Sequence, residues 1–170
     1  KAFCDARPAG GKFAHRATDR PAGSSPSMKW VNPPVAYMLH AGVPLLRQAG
    51  VHLPGVQPAP AQRPDRIALE AYPGLLAREL VGRQSYKSDE PARQNAERRN
   101  CRAQMLQSLQ RGQTRLGLRL SLSAAHQAEL VADGSGDLLD ASLCLVQAAW
   151  ASQRGWPLFG LPSGLDPLEG

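Results

Sequence analysis

Apolar positions along the chain fall into blocks separated by Gly- and Pro-rich stretches, and the spacing inside each block predicts its element. Pro34 can sit at a first helical position, and Val35, Met38, Leu39 and Gly42 then recur at helical spacing up to Pro44, which predicts a short helix. Residues 54–66 hold too many prolines for either regular element and read as an exposed connection. Ile67 and Leu69 flank Ala68 in a short apolar run, read as a buried strand that closes on Glu70. Pro73 then opens a helix through "GLLAREL" that Gly82 can end.

Further on, a long helix is predicted from Pro91 to about Arg111, with Ala92, Ala96, Ala103, Leu106 and Leu109 broadly on one side. Four arginines, Arg93, Arg98, Arg99 and Arg102, cluster in its first half. Another short helix follows Ser121 or Ser123, either of which can act as its N-cap. The last helix lies in "DGSGDLLDASLCLVQAAW", from Asp133 to Trp150, and is closed by Gly155. Both of its sides are apolar past the first turn, which marks a buried helix. Residues 1–33, rich in Gly, Pro and Ser, read as irregular, and no internal repeat is present.

Two acids at the head of that last helix need a physical reason. Asp137 suits the positive end of the helix dipole, a contribution of roughly 0.3 to 1 kcal/mol, beside Ser135 as a candidate cap. Asp140 lies beyond the reach of the dipole, and three residues apart the two carboxylates share one face about 5 to 6 Å apart. Their repulsion at an effective dielectric near 20 is about 3 kcal/mol, so water, an arginine or a divalent metal must offset it. Glu70, closing an apolar run, is costly to bury unless it is paired, liganded or already at solvent.

Composition narrows the classes. With 42% hydrophobic residues in 170 the chain can bury a real core, and a single domain over 1–170 is expected, with 54–66 as a Pro-rich connection inside it. The 20 Lys and Arg against 14 Asp and Glu give a net charge of +6, and arginine dominates, which favours polyanions such as nucleic acid. Cys4, Cys101 and Cys144 are odd in number and far apart, so neither a disulfide partner nor a zinc site is expected, and a cytoplasmic setting fits. No run approaches the roughly 20 apolar residues of a membrane span. His15, His40, His52 and His126 show no ligand spacing, and no GxGxxG, GxxxxGK[ST], HExxH or GxSxG occurs.

The motifs "LEAYPG" around Glu70, "SYKSDEPARQ" from Ser85 and "GDLLDASLCLVQAAWA" from Gly136, with "KWVNPPV" and "FGLP…DPLEG", resemble the domain-of-unknown-function family 429, described as predicted ribonuclease H-like nucleases. The resemblance runs from about Arg16 to the end. It implies an α/β fold, a mixed sheet flanked by helices, helix-rich in this segment and incomplete at both ends, with the N-terminal strands and their Asp missing and the family continuing past "DPLEG". It also implies a metal-dependent nuclease in which Glu70, Asp137 and Asp140 hold two Mg²⁺ or Mn²⁺ ions for phosphodiester hydrolysis. Lys87, Arg93, Arg98, Arg99 and Arg102 are then candidate phosphate contacts, against the alternative of a solvated helix face with pairs such as Arg93 and Glu97. A second reading keeps the fold as a non-catalytic nucleic-acid-binding or interaction domain. "HRATDR", with Arg16 and Asp19, matches the family without an assigned role.

Overall fold

The computed structural model describes residues 15–26, 29–30 and 34–164. Its elements are α1 (Asp19–Ala22), α2 (Val35–Gln48), α3 (Pro73–Val81), a 3₁₀ turn (Pro91–Arg93), α4 (Ala96–Arg111), α5 (Ala124–Ala132) and α6 (Asp137–Arg154). They divide into two compact units, one formed by 1–70 with 155–170 and the other by 71–154.

The second unit is a helical cluster in which α3 packs on α4 and α6, and α5 packs on α4 and α6. Its core takes Leu76, Ala77 and Val81 from α3, Cys101, Met105 and Leu109 from α4, and Leu139, Leu143 and Val146 from α6, around Tyr86. Apart from the adjacent Leu76 and Ala77, these residues recur at three- or four-residue steps, so each helix turns one stripe inward. Full burial of side chains such as Leu76, Met105 and Leu143 contributes roughly 1.5 to 3 kcal/mol apiece. Leu116, Leu118 and Leu120, in the irregular stretch after α4, close over this core, and the Leu120 N–H donates to the Leu109 carbonyl.

Local signals set the boundaries. Pro73 starts α3, and Gly82 follows it with a φ of 63°. Ser123 caps α5 by accepting from the His126 N–H. The helix expected from Pro91 onward is interrupted: a 3₁₀ turn ends at Arg93, and Asn95, in an extended conformation, caps a fresh start by accepting from the Arg98 N–H. Helix α6 begins at Asp137, and Gly155 after its last turn has a φ of 74°.

The expectation of an α/β, ribonuclease H-like mixed sheet is overturned. Among the described residues there is no β-strand, only two isolated bridges, His52 with Ile67 and Pro54 with Gln57. The run read as a buried strand ending at Glu70 makes one ladder step: the His52 N–H donates to the Arg66 carbonyl and the Ala68 N–H to the His52 carbonyl. The three-residue run Ile67–Leu69, with Pro64 and Pro73 on either side, is too short to extend it, because each proline removes a ladder donor.

In the first unit, buried His52 meets the ring of Trp156 edge-on at 5.7 Å, and Trp156 meets Phe159 at 6.1 Å. Helix α2 continues through Pro44 to Gln48, beyond its expected end, and none of its residues is buried. Among the described residues no helix is long and apolar enough to cross a membrane.

Candidate functional site

The start of α6 is organised by Asp133. Its carboxylate accepts from the Ser135 hydroxyl at 2.6 Å, the Ser135 N–H at 3.1 Å and the Leu138 N–H at 2.9 Å, so Asp133 shares the capping with Ser135, whose hydroxyl accepts from the Asp137 N–H at 3.4 Å. Burial pushes this carboxyl up, but those hydrogen bonds outweigh it and hold its pKa below the ordinary value of 3.8. Gly136 follows with a φ of 75°, and a Cβ there would lie 2.7 Å from Cβ of Lys87. Glycine at this point therefore lets the segment "SYKS" lie directly against the helix start, where the Ser88 N–H donates to the Gly134 carbonyl.

That close approach delivers two side chains to Asp140. The Tyr86 hydroxyl donates to Oδ1 at 2.6 Å, and Lys87 Nζ donates to Oδ2 at 2.5 Å. The offset demanded by two carboxylates on one turn thus comes from a lysine. Burial lowers the pKa of Lys87, but the hydrogen bond and charge of Asp140, with Asp137 and Asp89 behind it, raise it overall. Tyr86 is raised as well, first by burial and then by its bond to Asp140.

The same segment is held from behind by α4. Arg102, buried in the core, donates to the carbonyls of Tyr86 at 2.7 Å and Val131 at 3.0 Å. Arg98 donates to the Lys87 carbonyl at 2.9 Å, and Gln94 Nε2 to that of Ser88. Arg98 and Arg102 stand one helical turn apart, so one face of α4 holds Tyr86 and Lys87, and Gln94, just ahead of the helix, holds Ser88. Burial lowers the pKa of Arg102, although the charge of Asp133 opposes this.

Other candidates lie elsewhere. Arg93 is exposed and pairs with Glu90 at 2.9 Å rather than with Glu97, and Arg99 is exposed. Asp137 is exposed at the first residue of α6. Glu70 belongs to the first unit, where Arg16 grips it bidentately at 2.7 Å through both terminal guanidinium nitrogens. Arg16 also donates to buried Asp19, through its side chain at 3.0 Å and its backbone N–H at 2.8 Å, and the Ser24 hydroxyl adds a third donor. Burial pushes Asp19 up, but these donors hold it below its ordinary value of 3.8. "HRATDR" is therefore an ion-paired tie between α1 and the end of the Ile67–Leu69 run, a role that pattern reading missed because Arg16 and Glu70 are 54 residues apart.

The carboxylates can be weighed against the metal that the family resemblance implies. Both oxygens of Asp140 are engaged by Tyr86 and Lys87, and both oxygens of Glu70 by Arg16. Among the described residues no three His, Cys, Asp or Glu side chains gather in a metal-holding group. As arranged, this donor set suits ammonium and guanidinium cations and does not fit Mg²⁺ or Mn²⁺. Cys101 and Cys144 are free thiols, and Cys4 lies outside the described residues.

The directions of the shifts fix a pH dependence. Asp19 and Asp133 are depressed, so their contribution is present above the ordinary value of 3.8 and is lost as pH falls through their folded values. Lys87 and Tyr86 are raised, so theirs is present below the ordinary 10.5 and 10.0 and is lost as pH climbs above them. Urea midpoints followed by circular dichroism from about pH 3 to about pH 11 are expected to form a plateau that falls at both ends. A midpoint that is flat above pH 10 contradicts the role given to Lys87 and Tyr86.

Compared with known proteins, the chain matches no family model, no curated protein and no solved structure.

Proposed function

We propose that this chain binds nucleic acid through phosphate contacts made by the second unit. One observation carries the reading: residues 78–119 hold ten Lys and Arg against four Asp and Glu, so the whole net charge of +6 resides in this segment and the rest of the chain balances to zero. Arg83, Arg99 and Arg111 are exposed there and have no carboxylate partner among the described residues. Exposed guanidinium groups of this kind supply the sequence-independent part of phosphate binding. Arg102 is spent on backbone carbonyls and Lys87 on Asp140, so neither is assigned to phosphate.

Fluorescence anisotropy with labelled DNA and RNA, repeated at several salt concentrations, tests this. Affinity is expected to fall linearly on a log–log plot, and Arg83→Gln/Arg99→Gln/Arg111→Gln to flatten the slope by about 2 to 3 units. Absence of binding at low salt, or an unchanged slope in the triple variant, would falsify the proposal.

Metal-dependent phosphodiester hydrolysis, the activity implied by the family resemblance, is the second reading. It requires a metal to displace Lys87 from Asp140, with exposed Asp137 one turn away as a second carboxylate. Adding Mn²⁺ to the same labelled substrates separates the two. Binding without cleavage supports the first reading, and cleavage that Asp137→Asn abolishes supports the second.

A further inference from the structure

Helix α3 sets Gly74, Ala77, Arg78 and Val81 on one face, at steps of three and four residues. Past Gly82 the chain turns back, and between that face and the segment up to Tyr86 lies a cleft of about 330 Å³. Small-molecule sites run from about 300 to 1,000 Å³, so this one has room for a single flat ring and its attachments. The floor is apolar, with Ala77, Val81 and Tyr86 all buried. The rim is cationic: Arg78 is half-buried, Arg83 is exposed, and among the described residues that line the cleft there is no acid. Glu79, next to Arg78 in the chain, is taken up by Arg115, which donates to it from its backbone N–H and its guanidinium.

The walls are held from outside the cleft. The Tyr86 hydroxyl donates to Asp140, which fixes the far end of that ring. The Tyr72 ring folds over Gly74, where a Cβ would lie 2.8 Å from it, and the Arg78 guanidinium sits 5.4 Å from the centre of the same ring. The Cys101 thiol donates to Oε1 of Gln84 at 3.2 Å, which leaves the Nε2 donors of Gln84 for a ligand at the mouth.

We infer that this cleft takes one unpaired nucleotide of a single strand, with its base on the apolar floor and its phosphates on Arg78 and Arg83. The inference rests on the phosphate-binding reading of this unit and names the form of nucleic acid that the unit selects. An apolar floor alone would suit any hydrophobe, and two arginines alone any anion. A nucleotide uses both at once, because it joins a flat ring to a phosphate that guanidinium groups bind bidentately. The Gln84 amide adds a donor for an acceptor on the base edge. A base in a duplex offers neither face nor edge until it is unstacked and unpaired, so the cleft favours single strands.

Fluorescence anisotropy of the full chain at one fixed salt concentration tests this, with a labelled strand of about ten nucleotides and the duplex of the same sequence. The single strand is expected to bind about tenfold more tightly. Gly74→Leu carries a side chain into the cleft and pushes the Tyr72 ring aside, so it is expected to abolish that preference while duplex affinity and salt slope stay as they were. Arg78→Gln, which leaves the floor intact, is expected to abolish the preference and to lower the single-strand salt slope by about one unit, and it decides the matter if circular dichroism shows Gly74→Leu unfolded. Equal affinity for strand and duplex with a normal salt slope overturns the cleft and leaves the phosphate reading standing, whereas no binding of either at low salt overturns both. A preference that survives both substitutions, or adenosine monophosphate competing as well as the strand does, also overturns the inference.

Discussion

Arg102→Met is expected to destabilise the second unit by about 3 to 5 kcal/mol while leaving the salt dependence of nucleic-acid binding unchanged. Methionine fills much of the same volume and removes the buried charge, so packing and desolvation change little in its disfavour. What it cannot replace are the donors to the carbonyls of Tyr86 and Val131. Each carbonyl left unpaired in the interior costs about 1 to 3 kcal/mol, and losing the first also frees the segment that carries Tyr86 and Lys87. Urea unfolding by circular dichroism gives the stability, and anisotropy at several salt concentrations gives the slope. A variant that keeps its stability but loses about one unit of salt slope would return Arg102 to the phosphate role that its place among four clustered arginines suggested.

Asp140→Ala is expected to cost about 2 kcal/mol, most of it through the Tyr86 hydroxyl. That hydroxyl belongs to a core residue and loses its acceptor, whereas Lys87, with a side chain 41% exposed, can turn back to water. The exposed part of the pair therefore adds little. Saturating Mn²⁺ is expected to leave the melting temperature of wild type and variant equally unmoved, since the lysine already holds the position a cation would need. A rise of several degrees in wild type alone, absent in Asp140→Ala, would show Mn²⁺ displacing Lys87 and restore Asp140 as a ligand.

Where the chain speaks locally, its sequence was readable. Pro73 opens α3, Ser123 caps α5, and Leu139, Leu143 and Val146 line one buried face of α6, although the burial expected on its other side fails at exposed Leu138 and Leu145. Each depends on interactions within a turn or two. Asp140 is instructive because half of its story was legible: the repulsion with Asp137 follows from their spacing, and the need for an offset follows from that. Which group supplied it did not, because Lys87 lies 53 residues earlier and reaches the site only through the close approach at Gly136. The strand ending at Glu70 failed for a related reason. Three apolar residues satisfy a strand pattern, but a sheet needs partners, and the run finds one bridge, to His52. In α4, the spacing of Arg98 and Arg102 could have suggested a shared task on one face, though only the fold shows that the task is holding carbonyls.

The way the two units are threaded has a consequence for synthesis. The second unit is continuous from 71 to 154, whereas the first joins 1–70 to 155–170 across it. As the chain leaves the ribosome, the residues that fill the helical core have all emerged before Trp156 and Phe159, which close the aromatic contacts on His52. The inserted helices can therefore settle first, while the early part of the chain waits for the residues that return to it after α6.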